Sequence, residues 1–136
     1  MKLRIAYVIA IATLSLVSIA QAQTSTMTVV VPFEFTAYDS AMPSGEYSVT
    51  KLNERTVSMQ LKGGQKSVLL VTDAKELLHS DGIAKLVFNR FGSSYFLTEV
   101  GGHGADSART VRASDNENNI ARNQKHTQVA VRAARD

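Results

Sequence analysis

Over most of the first hundred positions apolar residues alternate with polar ones at the two-residue period of extended chain. From Thr26 to Phe35, Met27, Val29, Val31, Phe33 and Phe35 share one parity, with Thr28 and Glu34 on the other. That spacing predicts a half-buried strand. Pro32 takes the outward parity and cannot donate to a ladder, so this strand lies at an edge or bends there. Thr36 to Ser44 reads as a connection, punctuated by Pro43 and Gly45. Glu46 to Leu52 predicts a second strand with Tyr47 and Val49 inward. In Thr56 to Lys62, Val57, Met59 and Leu61 alternate with Ser58, Gln60 and Lys62. Gly63-Gly64 then signals a hairpin, because glycine tolerates the positive φ of tight turns. Ser67 to Thr72 is a further apolar strand, Asp73 to Leu78 fits either one helical turn or a loop, and Ser80-Asp81-Gly82 is a turn.

The segment from Ala84 to Val100 predicts the hairpin against which the rest folds. Two arms rich in aromatic and β-branched residues flank Gly92-Ser93-Ser94. Leu86, Phe88 and Arg90 fall on one face of the first arm, and Val87, Asn89 and Phe91 on the other. On the second arm Tyr95, Leu97 and Glu99 oppose Phe96, Thr98 and Val100. Arg90 and Glu99 each sit on a largely apolar face, where a charge needs a partner, so a cross-strand ion pair between them is expected. Strands starting every ten residues or so predict an all-β fold, a small antiparallel β-sandwich or barrel of about six strands.

Past Ala105 the pattern changes. Aromatics stop, and Asn116, Asn118, Asn119, Asn123, Gln124 and Gln128 stand among Arg112, Arg122, Lys125, Arg132 and Arg135. Ser114 followed by Glu117 has capping-box spacing. Ile120, Thr127 and Val131 make a thin helical stripe. Residues 105–136 therefore read as a polar, mildly basic tail, a marginal helix or a disordered segment, after a β-domain over 23–104.

The first 22 residues read as a signal peptide. Lys2 and Arg4 precede an apolar run from Ile5 to Ile19, and Ala20-Gln21-Ala22 is a small-x-small cleavage pattern before Gln23. The run is short for a span and no basic stop-transfer cluster follows it, so export by the general secretory route, to the periplasm or beyond, is expected, with no membrane span after cleavage. Removing Lys2 and Arg4 from 15 basic residues leaves 13 against 12 acidic ones. That balance argues against a nucleic-acid partner. There is no cysteine, so neither thiol chemistry nor a disulfide contributes.

Three blocks carry a resemblance: Val31-Pro32-Phe33-Glu34-Phe35; Met42-Pro43-Ser44-Gly45-Glu46-Tyr47-Ser48-Val49; and Ala84-Lys85-Leu86-Val87-Phe88-Asn89-Arg90-Phe91-Gly92 with Tyr95-Phe96-Leu97. The chain resembles a set of small exported proteins of unknown function from acidobacteria and similar soil bacteria, from about Val29 to Ala121. It departs from that set in having Gly101 where a tryptophan often follows the third block, and in its longer tail. The resemblance implies a β-rich exported domain and brings no catalytic residues with it.

Candidate chemistry is sparse. His79, His103 and His126 have no metal-ligand spacing, so neither metal nor cofactor is expected. No serine lies in a nucleophile motif, and Gly63-Gly64-Gln65-Lys66 lacks the spacing and following helix of a phosphate loop. No catalytic residue is assigned. The candidate binding residues are Arg90, Phe91, Phe96 and Glu99, with either aromatic, if exposed, marking a partner or sugar-stacking surface. Two functions follow: a non-enzymatic binding or structural module of the cell envelope, meeting an envelope protein or polysaccharide, or a hydrolase of envelope or extracellular polymers using Glu99, Arg90 or His103. The early edge strand also leaves room for a homodimer by strand pairing.

Overall fold

The computed structural model describes residues 26–74, 83–101 and 108–134. The signal-like segment, His79, His103 and most of the segment expected as a helical turn or loop lie outside them. The elements are β1 (Thr26–Val31), β2 (Phe35–Ala37), β3 (Ser40–Met42), β4 (Gly45–Lys51), β5 (Thr56–Leu61), β6 (Ser67–Ala74), β7 (Lys85–Phe91), β8 (Ser94–Gly101), β9 (Arg109–Val111), α1 (Asp115–Asn123) and β10 (Thr127–Arg132). Among the described residues the fold is all-β with one short helix.

Strands β1, β4, β5, β6, β9, β8, β7 and β10 are hydrogen-bonded in that order, all antiparallel. β8 is the branch point. One of its edges carries β7 along its whole length. The other is shared, with β9 against Glu99 and Val100 and β2 in parallel at Phe96. β2 pairs in turn with β3. The sheet curls until its two ends meet, where Ala134 N–H donates to Thr28 C=O at 2.8 Å.

The curl encloses one face of the sheet. Val29, Val31, Tyr47, Val57, Met59, Leu70, Leu86, Phe88 and Leu97 are all buried in one core. A chain of aromatic contacts crosses it: Phe33 to Phe88 at 5.0 Å, Phe88 to Phe35 at 5.2 Å and Phe35 to Tyr47 at 5.4 Å. Burying one such ring contributes roughly 2–3 kcal/mol. The Tyr47 hydroxyl donates to Pro43 C=O, which satisfies the polar end of this core residue. Pro32 ends β1, and β1 is an outer strand of the main ladder, as its missing donor requires.

The structure departs from the sequence pattern in three places. Thr36–Ser44 is no simple connection but holds the β2–β3 hairpin, turned through Tyr38 at a φ of 56°. The β5–β6 hairpin closes between Leu61 and Lys66, a longer loop than the two-residue turn that Gly63-Gly64 suggests. The polar tail holds α1, as its capping signal predicts, yet on either side of it β9 and β10 join the sheet. β10 covers the outer edge of β7 with six paired residues.

Candidate functional site

The Gly92 hairpin forms as expected. Gly92 takes a φ of 61°, and Phe91 pairs with Ser94 across the two-residue turn. Its two faces are both covered, for different reasons. Leu86 and Phe88 join the main core, whereas Val87, Phe91 and Phe96 are buried outside it. There Phe91 packs edge-on to Phe96 at 5.8 Å and lies 5.5 Å from the His126 ring. Neither aromatic is exposed, so the reading of Phe91 and Phe96 as a stacking surface is corrected: they are interior.

The expected Arg90–Glu99 pair is corrected as well. The register shifts between Val87 and Phe88, because β8 carries one extra residue, Thr98, whose hydroxyl donates to Val87 C=O at 3.1 Å. Past that bulge the parity inverts, so Val100 rather than Glu99 joins Leu97 in the core. Arg90 pairs with Tyr95 and Glu99 with Val87, three residues or roughly 10 Å further along the strand. Arg90 is exposed instead, its Nε donating to Gly92 C=O at 2.8 Å and its guanidinium 5.5 Å from the Tyr95 ring centre. Tyr95 stacks on Phe33 at 3.8 Å, so a cation, a phenol and a phenyl ring lie in one column running from surface to core.

Helix α1 lies beside Phe96, with Asn116 and Ile120 on the same cleft. Ser114 caps the helix, its Oγ accepting from Glu117 N–H at 3.2 Å. Glu117 turns inward and is buried. Burial pushes its carboxyl above the ordinary 4.5, while the Asn89 amide and the His126 ring pull it back down. Asn89 Oδ1 is buried with no hydrogen-bond partner. A second buried charge, Arg109 on β9, ties the sheet to the β4–β5 turn: its guanidinium donates to Glu54 C=O and, at 3.0 Å, to the Glu54 carboxylate. Lys51 and then Arg109 hold that carboxyl below 4.5.

Where α1, the β2–β3 hairpin and the start of β8 converge, they leave a cleft of about 430 Å³. Phe35, Tyr95 and Phe96 line it, and Glu34, Ser94 and Asn116 add polar groups. No family model, curated protein or solved structure matches this chain. The site therefore stands on its own geometry. Of the four residues proposed from sequence, only Phe96 touches the cleft, as part of its lining. Tyr95 and Asn116 also line it, and the pattern signals neither: Tyr95 reads as core beside Leu97, and Asn116 as one asparagine among several. Among the described residues no cluster of histidine, aspartate and glutamate could hold a metal, and no helix is long and apolar enough to cross a membrane.

Proposed function

We propose that the protein is an exported, non-enzymatic binding module of the bacterial cell envelope, and that the cleft between α1, β2–β3 and β8 receives a segment of neutral polysaccharide. The cleft carries the reading. The half-buried Tyr95 ring is the one aromatic of its lining open to a ligand and suits an apolar sugar edge, and hydroxyl, amide and carboxylate groups around it suit sugar hydroxyls. Its mixed, mostly uncharged lining favours a polyhydroxylated ligand over an ionic one. Export is supported by the basic-then-apolar start ending in Ala20-Gln21-Ala22, and by the resemblance of the three motif blocks to exported acidobacterial proteins.

The test is a titration of the mature chain with oligosaccharide fragments of envelope and extracellular polysaccharides, followed by amide chemical shifts. Shifts confined to Ser94, Tyr95 and Asn116, and binding weakened at least tenfold by Asn116→Ala with unchanged thermal stability, are expected. A chain that binds no fragment at millimolar concentration, or binds with shifts elsewhere, overturns the reading. Fractionation of cells expressing the full chain tests export separately.

A further inference from the structure

One half-edge of the sheet is open, away from the cleft. Leu61 N–H donates to Lys66 C=O, so the hydrogen-bonded pairs of the β5–β6 ladder alternate from there through Met59–Val68 and Val57–Leu70. The main-chain groups of Ser67, Leu69 and Val71 consequently point away from β5. Arg112 N–H takes Val71 C=O at 3.4 Å, but β9 pairs only from Thr72 onward. Ser67 and Leu69 thus have no ladder partner on that side among the described residues. Their edge also lacks the usual guards: Ser67 to Val71 holds no proline, no charge and no bulge.

Four further observations meet at this edge. Leu69 is 67% exposed and Val71 50%, far more than their type needs on a sheet with a full core. A slot of about 190 Å³ opens beside them, walled by Leu69, Val71, Val111 and Tyr38, with Arg112 at its margin. Arg112 forms no ion pair with a described residue. Tyr38, finally, is a bulky residue in the left-handed region and is 43% exposed, so burial of its ring does not offset the backbone strain.

The geometry points to a strand-addition site for an extended peptide of a partner protein, with an apolar residue followed two positions later by aspartate or glutamate. The peptide's main chain completes the ladder at Ser67 and Leu69. Its apolar side chain fills the slot against Tyr38, Leu69 and Val71. Arg112 itself holds the place opposite Val71, so the acidic residue lies past the end of the new ladder and meets the Arg112 guanidinium where the peptide leaves the edge. The slot shares no lining residue with the cleft, so this site stands or falls independently of the polysaccharide reading.

The experiment selects a displayed library of random octapeptides, flanked on both sides by linker, on the purified mature chain. Enriched peptides are expected to carry the apolar-x-acidic pattern and to shift the amides of Ser67 to Val71. Replacing the peptide's acid by its amide should weaken binding at least tenfold, a comparison that needs no protein variant to fold. Arg112→Gln should do the same, and Leu69→Lys, at an exposed position, should abolish binding while leaving the circular dichroism spectrum unchanged. Failure to enrich any peptide, or peptides indifferent to the acid and to both substitutions, overturns the proposal. So does a mature chain that is a dimer in solution and becomes a monomer with Leu69→Lys, since the edge then belongs to a second copy.

Discussion

Glu117 shows how one position can serve two structural ends. Its N–H completes the Ser114 cap, while its carboxyl is spent on the interior beside Asn89 and His126 instead of reaching back to the cap. A carboxyl whose folded pKa is raised binds its proton more tightly in the folded state. Its favourable contribution is complete below about 4.5 and is lost as pH rises through the raised value. Glu117→Gln removes the ionisation and keeps the shape. The variant should match the parent at pH 4 and become the more stable of the two toward pH 7, as read by urea unfolding across that range. Arg109 works in the opposite sense. It is a buried charge whose partner Glu54 is exposed, and its Nε is buried without a hydrogen bond. Arg109→Ala should cost about 2–4 kcal/mol by urea unfolding, through lost packing and two charge-assisted hydrogen bonds; Glu54→Ala should cost much less. The Ser114–Glu117 spacing was legible because a cap is local. The burial of Glu117 and Arg109 was not, since each depends on residues far away in sequence.

Elements follow the same division. Strands β1, β4 and β5 announce themselves by alternation, because each has one face in the core, whereas β6 shows only as a short unbroken apolar run. The hairpin faces could not be assigned past Leu97, since an inserted residue leaves the two-residue pattern intact on both sides while inverting its meaning. β10 had a signal that the polar surroundings masked: Val129 and Val131 are two apart, and both are half-buried against the sheet. At Gly92 the turn depends on backbone freedom alone, because a methyl group there would meet no atom within 4 Å. Gly92→Ala should therefore cost about 1–2 kcal/mol in chemical denaturation purely as left-handed strain, with no change in the core.

At the scale of the whole molecule, the polar tail is part of the sheet. A chain ending after Gln124 loses the six-residue ladder to β7 and the link from Ala134 to Thr28. It should be less stable by about 3–5 kcal/mol in a thermal or urea melt, taking roughly half to one kcal/mol per hydrogen bond. A merely solvated tail would cost nothing to remove, so the measurement separates the two outright. The meeting of Ala134 with Thr28 has another consequence. The two extremes of the described chain are spatial neighbours, so the order in which the strands are threaded is not what holds them in place. A circular permutant, with a short glycine–serine linker from 134 to 26 and new termini between Gly63 and Gly64, keeps every strand pairing. It should reach the same native state, while the β1–β10 contacts, distant along the natural chain, become local and the β5–β6 hairpin becomes the long-range pairing, redistributing the entropy of loop closure along the folding route.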